Sequence, residues 1–166
     1  MEFEIRAIDP TVVKELLDTD DAGREPRFMI DESGGSPLRC CLAKAAPGER
    51  IALLSYAPLR RWAAETGADP GPYDEQGPIF VHAGTCPGPQ TSGWPAAHAG
   101  SSRVLRAYGT AGAILGGTLL PAGHDPAEAT QAIHTMLADP QVALIHVRAL
   151  EYGCFQFEIR PAEPRA

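Results

Sequence analysis

The chain has 166 residues, 44% of them hydrophobic and 21% charged, which suits one soluble globular domain and excludes wholesale disorder. Gly and Pro together supply about 20% of the residues against a usual ~12%, which excludes a coiled coil or a simple helical bundle. The formal charge of −7 lies almost wholly in residues 1–32, with ten acidic and four basic side chains, and no Lys/Arg run is present to neutralise phosphates, so nucleic acid is not an expected partner.

Phe3–Ile8 alternates apolar and polar residues and reads as a strand. Asp9-Pro10 then opens a helix near residues 10–18, with Asp as N-cap, Pro in the first turn, and Val12, Val13, Leu16 and Leu17 as its apolar stripe. The acidic stretch 18–21 ends it and is expected to be solvated surface. Arg27–Ile30 is a short extended piece. Leu38–Leu42 and Ile51–Tyr56 read as strands joined through Pro47-Gly48, a type II turn in which Gly supplies the positive φ. In such a strand Cys40 and Cys41 point to opposite faces. Arg60–Glu65 is one helical turn.

Residues 70–100 contain six Pro and six Gly, interrupted by the apolar run Ile79-Phe80-Val81. That run is a strand, and the remainder is a long surface loop of the kind that is often functional. Arg103–Tyr108 and Ala113–Leu120 form a hairpin. Asp125-Pro126-Ala127-Glu128 is a strong start for a second helix near 126–138, and Val142–Ala149 and Gly153–Arg160 close the chain as a second hairpin. The architecture expected is one α+β domain over 1–166. It has a mostly antiparallel β-sheet of about 6–8 strands, two main helices and a long Pro/Gly-rich loop.

The last hairpin gathers the most chemistry. With Gly153 left-handed in a three-residue loop, Val147 pairs with Phe155 on the core side. The other face then places Arg148 opposite Cys154 and His146 opposite Gln156. A guanidinium beside a thiol stabilises the thiolate, and an imidazole can take its proton. The alternative is that this face meets solvent, where polar residues of an antiparallel sheet belong. His82 ends the 77–82 strand, Arg106 and Tyr108 share one face of their strand, and Arg39 shares a face with Cys41. His82 and Cys86 lie four apart and could join His146 and Cys154 around zinc, but no spacing demands a metal, so no ligand set is assigned. His98, His124 and His134 read as loop or helix-surface residues with no partner.

The N-terminus carries no signal-peptide pattern and no run is long enough to span a membrane, so the cytosol and reduced thiols are expected. Arg39-Cys40-Cys41-Leu42, Gly77-Pro78-Ile79-Phe80-Val81-His82-Ala83, Cys86, Arg106-Ala107-Tyr108, His146-Val147-Arg148 and Gly153-Cys154-Phe155 occur in this order. With them the chain resembles the bacterial family catalogued as Domain of Unknown Function 1203, although that family often reads Pro-Cys-Arg-x-Cys-Leu where this chain has Leu38 after Pro37. The resemblance brings no reaction and no cofactor. It implies that Arg39, Cys41, His82, Arg106, Tyr108, His146, Arg148 and Cys154 belong to one pattern.

The leading expectation is a Cys/His/Arg-lined polar pocket that binds or acts on a small anionic molecule. In an enzyme of this kind Cys154 would be the nucleophile or redox thiol, His146 or His82 the base, and Arg148 the thiolate stabiliser. Arg39, Cys41, Arg106 and Tyr108 would bind the ligand. The rival reading is a non-catalytic interaction or accessory module with structural Cys and Arg residues, and a His/Cys zinc-binding domain is third. No membrane partner is expected, and an uncovered sheet face would favour a homodimer.

Overall fold

The computed structural model describes residues 1–162. In chain order it contains β1 (Phe3–Arg6), α1 (Pro10–Asp18), β2 (Arg27–Asp31), β3 (Glu49–Tyr56), α2 (Pro58–Thr66), β4 (Gly77–His82), β5 (Arg103–Gly109), β6 (Ile114–Leu120), α3 (Pro126–Leu137), β7 (Val142–Ala149) and β8 (Phe155–Pro161). The fold is α+β and every strand pairing is antiparallel, as expected, but the eight strands divide between two sheets. The larger has the order β1-β8-β7-β5-β6 and the smaller β2-β3-β4. Among the described residues no helix is long and apolar enough to cross a membrane.

Both predicted helices start where their caps place them. The Asp9 carboxylate accepts from the Thr11 amide at 2.8 Å, and Asp125 and Glu128 form a reciprocal capping box with both bonds at 2.8 Å. The helical turn expected over 60–65 is the nine-residue α2, bounded by Pro58 in its first turn and by Gly67 at φ 77. Those boundary residues are the usual start and stop signals, and tertiary packing of Leu59, Trp62 and Ala63 supplies the rest.

Helix α3 covers one face of the larger sheet, where Ala129, Ile133 and Leu137 pack against Leu105, Ile145, Val147 and Phe157. Each fully buried aliphatic side chain there contributes about 1.5–3 kcal/mol. The opposite face is covered too. Tyr108 and Leu144 meet α2, and Phe155 packs edge-on against Tyr56 of the smaller sheet, with ring centroids 5.5 Å apart. The polar face of the last hairpin therefore lies between layers and not in water: His146 is 0% exposed and Arg148 and Glu158 each 8%.

The hairpin register also differs from expectation. Gly153 is left-handed at φ 69, but the loop closes one residue later, with the Ala149 amide donating to the Cys154 carbonyl. Val147 pairs with Phe157 and Arg148 with Phe155, so Gln156 is an extra residue in a β-bulge. The bulge turns Phe155 onto the polar face, and it sets His146 opposite Glu158 in place of Gln156. Alternation alone cannot reveal an inserted residue.

The acidic stretch is not merely solvated surface. Asp20 is 8% exposed and its carboxylate accepts from the amides of Ala22, Arg24 and Ser55 at 2.9–3.0 Å. Asp21 accepts from the Ala57 amide and forks onto Arg61. This turn after α1 thus anchors the end of β3 and the start of α2.

Candidate metal centre

Leu38–Leu42 is not a strand. Only isolated bridges, Pro37 to Lys44 and Leu38 to Phe80, flank a tight turn. Its tip is closed by the Leu38 amide donating to Ala43 and the Leu42 amide donating to Leu38. Leu42 adopts φ 60, an uncommon state for a non-glycine residue, while its side chain is only 5% exposed and packs in the α3 core. The turn cancels the opposite-face rule for neighbouring residues, so the Cys40 and Cys41 sulfurs converge on one point.

The base of this loop needs Gly34, whose φ is +70 and where a Cβ would lie 2.8 Å from the Pro47 nitrogen and 2.9 Å from the Ala45 carbonyl oxygen. Gly34→Ala is expected to cost about 2 kcal/mol through left-handed strain and backbone crowding, read as a lower urea midpoint. An unchanged midpoint would show that the loop base can give way freely.

His82, the last residue of β4, faces the turn. Its Nδ1 lies 3.2 Å from Cys40 Sγ and 3.8 Å from Cys41 Sγ, and its Nε2 lies 2.7 Å from Glu49 Oε1. A carboxylate only accepts, so Glu49 places the ring proton on Nε2 and leaves the Nδ1 lone pair toward the sulfurs. Glu49 is itself held by the Ala46 amide at 2.8 Å, and that bond with the His82 contact keeps its carboxyl below the usual range. Cys86, four residues beyond His82, completes the group, and one donor atom from each of Cys40, Cys41, His82 and Cys86 lies within 4.8 Å of the others. The His82 amide donates to Cys40 Sγ at 3.2 Å and the Gly88 amide to Cys86 Sγ at 3.4 Å. Within the thiol pair, the hydrogen bond from Cys40 holds the Cys41 thiol low and the Cys40 thiol correspondingly high.

Tetrahedral zinc with Zn–S of about 2.3 Å and Zn–N of about 2.05 Å implies S···N near ~3.6 Å and S···S near ~3.8 Å. The separations from His82 bracket the first of these values. The Glu49–His82 pair is the carboxylate support that metal-bound histidines commonly use. The four donors of this cluster are only half legible in sequence. The His82/Cys86 spacing is a local signal, whereas the apolar neighbours of Cys40 and Cys41 mimic a strand and mask their turn.

The other predicted site residues lie elsewhere. His146 and Cys154 do not join the cluster. His146 is packed between Tyr108 and Phe155 in tilted and edge-to-face contacts, with ring centroids 4.7 and 5.1 Å away, and its Nε2 lies 3.3 Å from Glu158. Burial lowers its pKa, against the pull of Glu158. The Cys154 thiol lies 3.8 Å from the Tyr152 carbonyl oxygen, and among the described residues it meets no imidazole at hydrogen-bond distance. Arg39, 3% exposed, parts from Cys41 and ties the layers together by donating to the Phe155 and Pro37 carbonyls at 2.8 and 2.6 Å. Arg106 and Arg148 both reach Glu75, and Arg106 lies 3.4 Å from the Tyr108 hydroxyl. His98 is not a surface residue: it is 3% exposed, Arg103 donates to its Nδ1 at 3.1 Å, and burial pushes its imidazole down to about 3. His124 is also buried.

Residues 35–161 match the family model described as Protein of unknown function (DUF1203). The chain belongs to this family. The DUF1203 match spans the Cys40–Cys41 turn, His82, Cys86 and the Glu75 arginine cluster. No curated protein and no solved structure matches the chain.

Proposed function

We propose that this DUF1203 member is a zinc-binding protein, with Cys40, Cys41, Cys86 and His82 Nδ1 as the four ligands of a closed structural centre. The observation that carries this reading is the convergence of four donor atoms within 4.8 Å from three segments, the 38–42 turn, the end of β4 and the loop beyond it. Three thiolates and one imidazole select a soft or borderline metal over magnesium or calcium, and a tetrahedral sulfur-rich set favours zinc. With four protein ligands no position stays open for substrate, so the metal staples chain segments and does not activate water. Its place supports that role: the loop after β4 contains only the 3-10 turn Ala96–His98 before β5.

Elemental analysis of untagged protein is expected to find one zinc per chain, and the cobalt-substituted protein is expected to show thiolate-to-cobalt charge-transfer absorption. Both signals are expected to vanish in His82→Ala. A chain that takes up neither metal under reducing conditions sinks the proposal.

A further inference from the structure

The arginine cluster on β5 and β7 lies outside the metal centre and has its own chemistry. Arg148 is 8% exposed, and its one ion-pair partner among the described residues is Glu75, at 3.1 Å from Nη2. Its Nη1 donates to the Gly153 carbonyl at 2.9 Å, and its Nε is buried without a partner. Arg106 reaches both oxygens of the same Glu75 carboxylate, at 3.2 and 3.4 Å. A nearly buried guanidinium is costly unless well paired, yet here the shared carboxylate is 47% exposed and sits on the segment entering β4. Water reaches the exposed carboxylate and competes for it, which leaves Glu75 open to displacement by another acid.

Beside this clamp lies a cavity of about 230 Å³ whose walls include Arg148, Tyr56, Pro78, Tyr152, Cys154 and Phe155. Ligand pockets usually exceed ~300 Å³, so this one selects a small molecule. Its walls combine a guanidinium with aromatic rings and prolines.

We infer that the Arg106–Arg148 pair is a binding site for a small monocarboxylate with an apolar tail, and that Glu75 occupies the carboxylate position as a displaceable internal stand-in. The two guanidinia hold a carboxylate already, which shows that the clamp accepts that group's size and charge. An incoming acid would replace Glu75, keep the charge-assisted bonds, and place its tail against Tyr56 and Phe155. The inference does not depend on metal at the cysteine cluster.

Benzoate is the probe, benzamide its neutral counterpart, and inorganic phosphate the test of general anion attraction, each titrated calorimetrically into the full chain. Glu75→Gln removes the competing charge at a half-exposed position and is expected to bind benzoate at least 10-fold more tightly than wild type. Benzamide and phosphate are expected to bind Glu75→Gln at least 10-fold more weakly than benzoate. Adding Arg106→Gln to Glu75→Gln is expected to reverse the gain, and this second change avoids the more buried Arg148. Benzoate affinity that is the same in Glu75→Gln and wild type overturns the inference. So does equal binding of benzamide or phosphate, or a gain that survives Arg106→Gln.

Discussion

Cys86→Ser is expected to lower the melting temperature of the zinc-loaded protein by about 8–16 °C. If free zinc stands about 1,000-fold above its dissociation constant, binding to the folded state alone adds about 4 kcal/mol. In a chain of this size each kcal/mol shifts the midpoint by about 2–4 °C. Cys86 is only partly buried, so the sulfur-to-oxygen change loses little packing of its own. A strong chelator is expected to lower the wild-type melting temperature by the same amount and to leave Cys86→Ser unmoved. If chelator destabilises both proteins equally, Cys86 is not a ligand. Because the thiols must be deprotonated to bind metal, wild-type zinc affinity is also expected to fall with decreasing pH.

Asp20→Ala is expected to destabilise the fold by at least about 4.5 kcal/mol, since three backbone amides lose a charged acceptor and each such bond contributes about 1.5–3 kcal/mol. The same carboxylate makes stability depend on acid. Burial raises its pKa, but the amides of Ser55, Arg24 and Ala22 outweigh that, and the net direction is downward. A group lowered on folding contributes stability above its unfolded value of about 3.9, and that contribution is lost as pH falls through the folded value. Wild type is therefore expected to lose stability below about pH 4, and the Asp20→Asn chain, which keeps the shape but cannot titrate, to lose less over the same range. Parallel urea midpoints for the two proteins from neutral pH to pH 2 would refute a titrating Asp20 anchor.

Both helix starts and the type II turn were legible because their signals are local. Asp9-Pro10 and Asp125 through Glu128 satisfy their own first-turn amides, and the Pro47-Gly48 turn closes with the Glu49 amide donating to Ala46. The alternation along β7 likewise placed Val147 on the core face of the larger sheet. What lay beyond the sequence depended on residues far apart in the chain. The Gln156 bulge turned Phe155 away from Phe157, and α2 with the smaller sheet covered a face whose polarity alone suited water. That cover is why His146, Arg148 and Glu158 are buried together.

The candidate site divides in the same way. The four-residue spacing of His82 and Cys86 is a local pattern that the sequence displays. The apolar neighbours of Cys40 and Cys41 suit a strand equally well, and only the closed loop base, the bridge to Phe80 and the left-handed Leu42 make that segment a turn. Length, composition and local hydrogen bonding thus determined an α+β chain rich in strands, capped helices and loops. Tertiary structure decided how the hairpins joined into two sheets, which polar face was covered, and which cysteines met His82. The Cys40–His82 and Arg39–Phe155 contacts span 42 and 116 positions, which no local periodicity records.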